Sequence, residues 1–316
     1  MLIMILDISL VLYRPNIDEF TRTAKSLSCV RDEFRFIHVL VSGSVYLHER
    51  INEILKLTVG LDKCKIYIRF DNLGFASGHN FLLDKSFALG SNYCVVLNPD
   101  IRVKSGVISD FVRIIEACGD NSLFGPSLER VDEPPADGAS RVFDSNGIEW
   151  ENSARHFDRD MGNLWKIDYG RIFTVQGLTG ACLFVKRCVF FDLVKNTGYF
   201  FDDTFLAYRE DAELGIRAGV FGISSKLIQI DGFGHVRSVR GYERGRSLPD
   251  LLGVRNRFLI MIRLGKFRPG NFLSFIRDAA VFFGVFFVEK SSIGGLFSAY
   301  RMRRYVKYTS AVRKVK

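Results

Sequence analysis

The sequence predicts an α/β protein whose mainly parallel sheet carries helices on both faces. In the first hundred residues, four short apolar runs alternate with amphipathic stretches. Continuous β-branched runs are typical of strands that are buried on both faces, and intervening helices are typical of parallel connections. Hydrophobic residues make up 47% of the 316 residues, which supplies a folded core and excludes extensive disorder.

The apolar runs also predict the order of the elements. Along the first hundred residues, strands and helices are expected to alternate, with a Gly-rich turn between the third strand and its helix. The predicted strands cover residues 8–13, 35–42, 65–70 and 93–98, and the predicted helices cover residues 16–27, 47–57 and 79–89.

The rest of the chain is less regular. Residues 129–147 contain two prolines and many small or acidic residues, so we interpret them as an excursion between two halves of one domain. A buried strand over 178–187, a helix over 210–218 and two basic helical stretches over 250–266 and 271–310 are expected to follow.

Basic residues are concentrated at the C-terminal end. Residues 255–316 contain 14 Lys and Arg against two acidic residues, whereas the whole chain has a net charge of +9. The final segment, 301–316, has seven basic residues and follows the Phe-rich run 279–288. A basic segment beside an apolar one suits an anionic membrane surface, and the alternative is core packing with a solvated tail. The ten-residue apolar run is too short to span a bilayer.

The cysteines and the N-terminal residues predict the cellular compartment of the protein. The six cysteines show no CxxC and no metal-finger spacing, so we expect reduced thiols and a cytoplasmic protein. The apolar N-terminal run has no preceding basic residue and no small-residue cleavage site, which predicts a buried strand rather than a secretory signal.

Two motifs follow predicted strands, where α/β folds bind ligands. In VVLNPDIRV, a buried strand ends in Asn98-Pro99-Asp100, and in extended backbone the two polar side chains would face one site. Their oxygens suit Mg²⁺ or Mn²⁺ with a phosphate as co-ligand, although a plain turn has the same composition. In RFDNLGFASGHN, the glycines Gly74 and Gly78 allow a tight turn near a ligand, or a capped strand–helix loop.

Two further motifs lie in the second half of the chain. Glu210-Asp211 stands at a predicted helix start, where the helix dipole favours ionised carboxylates, and one of them is a candidate general base. Glu213 and Arg217 are four residues apart and are expected to form a surface pair. In GFGHVRSVRG, His235 is a structural histidine or, if it lies near Asp100, a metal ligand.

In this order, NLGFASGHN, VVLNPD, GLTGACLFVKR, the segment Tyr208-Arg209-Glu210-Asp211 and His235 resemble a family 2 glycosyltransferase of the GT-A fold, a Rossmann-like α/β fold. The similarity is greatest to the rhamnosyltransferase-like branch, which carries an LNPD variant of the DxD metal motif. It covers residues 8–260. The resemblance implies a GT-A domain over 1–250, with a nucleotide-binding half over 1–103 and an acceptor half over 104–250. Residues 251–316 are then a basic helical extension.

The resemblance also implies a role for each motif residue. Asp211 would be the catalytic base supported by Glu210, and Asp100, with His235 as a further contact, would bind the metal. The remaining residues fall into two groups. The implied donor-binding residues are Tyr13, Asp71, Asn72, Gly74, Gly78, Asn80 and Asn98, and the implied acceptor-binding residues are Gly180, Ala181 and Arg209.

The implied activity is metal-dependent, inverting transfer of a sugar to a hydroxyl of a cell-surface polysaccharide or lipid-linked glycan. Deoxythymidine diphosphate-rhamnose is the leading donor, and a uridine diphosphate-hexose is the alternative. Family members usually carry Asp-Asn after the second strand, where this sequence has Val41 and Ser42, so Asp71 is expected to take over part of base recognition. The implied location is the inner face of the cell membrane.

Two other functions are less well supported. A sugar nucleotidyltransferase would carry a Gly-rich loop with Arg and Lys after the first strand, and this sequence has LYRPNIDEF there. A nucleic-acid-binding protein would use the basic C-terminus, but the sequence has no recognised binding motif, so no nucleic-acid partner is expected.

Overall fold

The computed structural model describes residues 4–43, 45–131, 140–151, 155–236, 248–263, 272–287 and 290–302. These residues form an eight-stranded sheet, a four-stranded sheet and a two-stranded ribbon. Helices cover both faces of the large sheet, so the predicted α/β class is confirmed.

The strands and helices alternate over the first hundred residues, as the sequence predicted. The strands are β1 (Leu6–Tyr13), β2 (Phe36–Ser42), β3 (Cys64–Arg69), β4 (Tyr93–Leu97), β5 (Ile101–Val103), β6 (Leu123–Pro126), β7 (Leu128–Arg130), β8 (Phe143–Ser145), β9 (Ile148–Trp150), β10 (His156–Asp158), β11 (Ile172–Val175), β12 (Cys182–Lys186), β13 (Ser225–Ile228) and β14 (Phe233–His235). The α-helices are α1 (Ile17–Ser28), α2 (Val45–Leu57), α3 (Gly74–Ala88), α4 (Val107–Cys118), α5 (Arg187–Thr197), α6 (Glu210–Val220), α7 (Leu248–Arg263), α8 (Phe272–Phe287) and α9 (Ile293–Met302).

The large sheet has the order β11-β13-β6-β12-β4-β1-β2-β3. Strands β4, β1, β2 and β3 are parallel, whereas β12 runs antiparallel between β4 and β6. Because β12 runs the other way, its first residues lie beside the carboxyl end of β4. The four-stranded sheet, in the order β5-β14-β7-β8, brings the segments that follow β4, β6 and β13 together.

Two apolar layers hold the helices to the sheet. Helices α1, α2 and α4 pack on one face, with Phe20, Leu55 and Phe111 fully buried. Helices α3, α5 and α6 pack on the other face. A third, smaller cluster joins Leu259 and Ile260 of α7 to α9. Among the described residues, no helix is both long enough and apolar enough to cross a membrane.

Helix α3 begins earlier than the sequence predicted. The expected Gly-rich turn is the first turn and a half of this helix, which starts at Gly74 instead of near His79. A Cβ atom on Gly78 would lie 2.9 Å from a methyl carbon of Val11 and 3.2 Å from one of Leu40. Gly78 therefore allows close packing of α3 on the sheet.

Two other segments differ from the predicted elements. Residues 98–100 form a turn between β4 and β5 rather than extended backbone, so the expectation that alternate side chains share a face does not apply there. The C-terminal helical stretch 271–310 contains α8 and α9 as separate helices. Its last residues, 303–310, and most of the basic segment 301–316 lie outside the described residues.

The pair Glu213–Arg217 is buried, so the prediction of a surface pair was wrong. Arg217 Nε donates to Glu213 Oε1 at 2.8 Å, and both side chains are only 5% exposed. The guanidinium also donates to the carbonyls of Tyr199 and Phe200. The i, i+4 spacing correctly predicted that the two side chains form a pair. Spacing alone does not show whether that face of the helix is buried.

We expect Arg217→Met to lower the free energy of unfolding by about 3–5 kcal/mol, because it leaves Glu213 buried without its partner. Urea unfolding measures this change. Arg113→Met is the matched control, since Arg113 forms an exposed pair with Asp110 and its loss should cost about 1 kcal/mol or less. A loss below 1 kcal/mol for Arg217→Met would contradict the prediction.

Candidate active site

The carboxyl ends of β1, β2 and β3 form one edge of the site. In the strand register, Tyr13 lies beside Ser42, and Ser42 lies beside Arg69. Tyr13 is 41% exposed, while the Ser42 hydroxyl is buried without a hydrogen-bond partner. Asp71 is exposed and pairs with Arg69 at 3.2 Å. An aromatic ring, a hydroxyl and a carboxylate therefore meet at this edge, which suits recognition of a nucleoside.

The start of α3 borders this edge. Asn72 Oδ1 accepts a hydrogen bond from the Gly74 amide at 2.9 Å, which caps the helix. Gly74 has a φ of 69°, and a Cβ atom there would lie 2.3 Å from the Leu206 carbonyl oxygen. Both the backbone conformation and the close approach therefore require glycine at this position.

Gly78 and Asn80 lie within α3, and packing accounts for both of them. The Asn80 side chain donates to the Phe201 carbonyl at 2.7 Å and accepts from the Phe201 amide at 2.8 Å. This paired contact ties α3 to the segment that leads toward α6. The donor-binding role of these two residues stays a prediction.

The turn after β4 lies against the start of β12 and against β14. The Asn98 amide donates to the Ala181 carbonyl at 2.9 Å. His235 Nε2 lies 3.3 Å from Asp100 Oδ1, and His235 Nδ1 lies 2.7 Å from Asp144 Oδ2. His235 therefore stands between two carboxylates, one from the turn and one from β8. His235 thus lies near Asp100, the condition under which the sequence suggested a metal ligand, and its metal-binding role stays a prediction.

The Asp100–His235 pair fits the role of a partial metal site. Asp100 Oδ1 is buried but makes no well-formed hydrogen bond. Burial disfavours a charged His235, yet the adjacent carboxylates of Asp100 and Asp144 raise the pKa of this imidazole to about 9. Within the part of the chain that the structure describes, no group of three or more His, Cys, Asp or Glu side chains could hold a metal by itself. A bound ion would need further ligands, such as phosphate oxygens.

Asp211 lies at the N-terminus of α6, next to the start of β12. Its Oδ2 accepts from the Gly180 amide at 3.0 Å, and its Oδ1 accepts from the Ala212 amide at 2.7 Å. Burial raises the pKa of Asp211, and the two amide hydrogen bonds oppose that rise. A Cβ atom on Gly180 would lie 2.9 Å from the Phe75 ring, so glycine at this position allows the ring to pack closely against the backbone.

Glu210 differs from Asp211 in its environment. It is buried, and its Oε2 has no hydrogen-bond partner. Burial, followed by the negative charge of Asp211, raises the pKa of Glu210 well above its usual range. Burial therefore favours the neutral form of Glu210, while the amide donors favour the ionised form of Asp211.

The backbone just before these carboxylates is strained. Leu206, Tyr208 and Arg209 have φ values of 62°, 68° and 74°, which non-glycine residues rarely adopt. We call residues 206–209 the strained segment. Each such residue costs about 1–3 kcal/mol, and such residues cluster at functional sites.

Helix α7 holds the strained segment in place. The fully buried Asn256 has its Nδ2 within 3.0 Å of the Phe205, Ala207 and Tyr208 carbonyls. Arg255 donates to the Thr204 and Phe205 carbonyls. From the other side, the Ala76 amide of α3 donates to the Leu206 carbonyl at 3.2 Å.

The structure groups most of the predicted site residues around the sheet edge. It brings Asp211 to Gly180 and Ala181, and it brings Asp100 to His235. Sequence reasoning missed Asp144 and Asn256. Asp144 lies 91 residues from His235, in a segment without a recognisable motif, so no local signal could have identified it.

Comparisons with known proteins identify the fold. No protein-family model matches the sequence, and no curated protein matches it. A crystal structure of GalNAc-T7 with UDP, GalNAc and Mn²⁺ is similar over 96% of this chain, with a TM-score of 0.64 and 15% identity. A crystal structure of S. aureus TarS is similar over 82% of this chain, with a TM-score of 0.50 and 13% identity.

The chain spans 56% of the GalNAc-T7 chain and 40% of the TarS chain. At these identities the likeness carries information about the fold alone. The chain therefore has the GT-A fold, as its sequence predicted.

Proposed function

We propose that this protein is an inverting, metal-dependent glycosyltransferase that uses a nucleotide-sugar donor, and that it belongs to the family 2 enzymes. The observation that carries the proposal is the position of Asp211. Its carboxylate is hydrogen-bonded to Gly180, and the adjacent Ala181 is hydrogen-bonded to the turn that contains Asp100. A candidate base and a candidate diphosphate site thus share one end of the sheet, where α/β folds bind ligands.

The donor would bind to the nucleotide-binding half of a GT-A domain that covers residues 1–250, and this half covers residues 1–103. The nucleoside would lie at the edge formed by Tyr13 and Asp71, with Asn72 and the start of α3 beside it. GalNAc-T7 was solved with UDP and Mn²⁺, which supports a nucleoside diphosphate and a divalent ion for this fold. Deoxythymidine diphosphate-rhamnose remains our leading donor, and a uridine diphosphate-hexose is the alternative.

Asp100 and His235 would hold Mg²⁺ or Mn²⁺, with phosphate oxygens of the donor completing the coordination. Asp144 fixes the His235 ring through Nδ1, so that Nε2 points toward Asp100. Carboxylate partners of this kind commonly orient metal-binding histidines. When bound, the ion would supply Lewis-acid stabilisation of the leaving diphosphate.

The reaction would be a single in-line displacement in the acceptor half of the domain, residues 104–250. Asp211 takes the proton of the acceptor hydroxyl, whose oxygen bonds to the anomeric carbon while the bond to the diphosphate breaks. Burial disfavours a charged Glu210, which limits the negative charge beside Asp211. One base without an enzyme nucleophile implies inversion. Gly180, Ala181 and Arg209 would border the acceptor.

We expect Asp211→Asn to lower kcat by about 10²–10⁴-fold and to leave nucleotide binding intact, because the amide cannot accept the proton. Burial raises the pKa of Asp211, so the wild-type kcat should fall as the pH drops through that raised pKa. The variant should lack this fall. The exposed Asp168→Asn is the matched control. A kcat for Asp211→Asn within about threefold of wild type would reject the assignment.

Donor identity is testable by thermal unfolding with deoxythymidine, uridine and guanosine diphosphates, each with and without Mn²⁺ or Mg²⁺. At about 100 times Kd, binding adds about 2.7 kcal/mol, so Tm should rise by several degrees with one nucleotide. Asp100→Ala should remove the metal-dependent part of the rise, and Asp168→Asn should not. The absence of any rise with all three nucleotides would contradict the proposed donor class.

The acceptor is proposed to be a growing cell-surface polysaccharide or lipid-linked glycan at the inner face of the cell membrane. Helix α8 supports a membrane surface as partner, because many of its large apolar side chains are exposed. Phe272, Leu273, Phe275, Ile276, Phe282, Phe283, Phe286 and Phe287 are between 37% and 77% exposed. Fourteen Lys and Arg residues between 255 and 316 would match an anionic leaflet.

We expect the protein to sediment with phosphatidylglycerol-containing vesicles and less with phosphatidylcholine vesicles. Replacing both Phe283 and Phe287 with Ser should weaken this binding severalfold, since each change removes an exposed apolar side chain that would enter the bilayer. Tyr46→Ser is the control, because Tyr46 is 75% exposed on α2. Equal sedimentation of the double variant and the wild type would remove α8 from the membrane proposal.

A further inference from the structure

The side-chain amide of Asn256 is completely buried against the backbone that leads to the candidate base. Its Nδ2 lies 2.7 Å from the Ala207 and Tyr208 carbonyl oxygens and 3.0 Å from that of Phe205. Arg255 Nε donates to Asn256 Oδ1 at 2.9 Å. This bond fixes the orientation of the amide, because the oxygen accepts and only the nitrogen can then face the three carbonyls. Asn256 is therefore a pure donor toward this backbone.

The bonds of Asn256 hold a conformation that the backbone avoids. In the strained segment, the φ values of Leu206, Tyr208 and Arg209 lie between 62° and 74°. Such a conformation persists only where the surroundings determine it. Two of the carbonyls that Asn256 contacts, those of Ala207 and Tyr208, lie within this segment. Without the amide, the segment would be free to relax toward negative φ values.

The other contacts reach the backbone nearer the start of the segment. The Arg255 guanidinium donates to the Thr204 and Phe205 carbonyls, which precede the segment. The Ala76 amide of α3 donates to the Leu206 carbonyl at 3.2 Å. Among the side-chain hydrogen bonds that the described part of the chain makes to carbonyls 204–209, those of the α7 amide therefore reach furthest toward α6.

The end of the strained segment is also the start of α6. The Glu213 amide donates to the Arg209 carbonyl at 3.0 Å, so a helical bond of α6 ends on a strained residue. Asp211 follows two residues later, and its Oδ2 accepts from the Gly180 amide at 3.0 Å. A change of φ within the strained segment would turn the first residues of α6 and pull the Asp211 carboxylate away from Gly180.

We infer that Asn256 is a positioning residue for Asp211, because it holds the strained segment and thereby sets the direction of the carboxylate toward β12. The resemblance assigned residue 256 to a basic extension, 251–316, beyond the GT-A domain. Helix α7 would instead belong to the catalytic unit. The effect of Asn256 on turnover rests on the proposed function, whereas its effect on the contact between Asp211 and Gly180 does not.

Hydrogen exchange measured by mass spectrometry tests this contact without any ligand. Asn256→Leu keeps the approximate size of the side chain but loses the donor, so the Gly180 amide should exchange about tenfold faster or more. Asn256→Gln keeps a donor and should lie between Asn256→Leu and wild type. Asn196→Leu is the matched control, because Asn196 is an exposed helical asparagine that donates to the Asp192 carbonyl. Unchanged exchange in β1–β4 excludes global unfolding as the cause.

Relief of the strain provides an independent test. Glycine adopts a positive φ without steric cost, so Tyr208→Gly should make the segment less dependent on Asn256. In that background, Asn256→Leu should speed exchange at Gly180 by a smaller factor than in wild type. Asp160→Gly is the matched control, since Asp160 has a φ of 57° in another part of the chain. If Asn256→Leu does not fold, Asn256→Gln takes its place in both comparisons.

Turnover measures the consequence for the candidate base. The readout is release of nucleoside diphosphate from deoxythymidine diphosphate-rhamnose or uridine diphosphate-glucose, with water as acceptor. Asn256→Leu should lower kcat by about 10–10²-fold, because small misplacements of a reacting group have effects of that size. The KM for the donor should stay within about threefold, because the donor edge at β1–β3 does not contact Asn256.

The pH profile distinguishes positioning from a general loss of stability. The Gly180 amide bond opposes the rise in the pKa of Asp211 that burial causes. Loss of this bond in Asn256→Leu should therefore move the fall in kcat at low pH to a higher pH. The charged groups that face Asp211 are the same in the variant and in wild type, and they are Arg209, Glu210 and Asp158.

The positioning role and the proposed function fail in different ways. The positioning role is overturned if Asn256→Leu leaves exchange at Gly180 unchanged, or if Tyr208→Gly does not reduce its effect. It is also overturned if wild type turns over and Asn256→Leu keeps both the kcat and the pH profile. If wild type releases no nucleoside diphosphate from either donor, the proposed function fails, and exchange at Gly180 still decides the role of Asn256.

Discussion

The geometry of the candidate site depends on a strained backbone that other parts of the molecule hold in place. Residues 206–209 adopt conformations that cost several kcal/mol in total. Asn256 and Arg255 offset this cost through hydrogen bonds to carbonyls just before and within the strained segment. Because the strained segment leads directly into α6, these bonds fix where Glu210 and Asp211 begin that helix.

The strained segment links two helices that are far apart in the sequence. Helix α3 contacts the strained segment from one side, through Gly74 and Ala76, and α7 contacts it from the other. The start of α3 and helix α7 therefore meet at the same few residues. A change in α7 should alter the position of Asp211 through the strained segment.

The sequence predicted the fold well in segments whose side chains are mostly buried. Strands β1–β4 end within two residues of their predicted limits, because continuous apolar runs occur only in strands covered on both faces. The start of α3 was missed because Gly74 and Gly78 have the composition of a turn, whereas here they permit close packing. The burial of Glu213 and Arg217 was missed because residue spacing does not reveal what covers a helix face.

The site was predictable only in part, for a similar reason. Asp100, His235 and Asp211 follow strands or begin helices, and such positions leave a local signal. Asp144 and Asn256 form hydrogen bonds with residues that are 91 and about 50 positions away in the sequence. No local sequence pattern indicates these partners. Long-range hydrogen bonds of this kind emerge only when the chain has folded.

Helix α8 presents two different faces, and this has a geometric consequence. One face carries the exposed Phe side chains, and Asp278 on the same helix is hydrogen-bonded to Arg257 of α7 at 2.9 Å. A helix with its side chains is ~10 Å across. A bilayer in contact with the Phe side would therefore keep the Asp278–Arg257 pair at a nearly constant height of about one helix diameter. The thickness of α8 would then set how far α7 stands from the lipid headgroups.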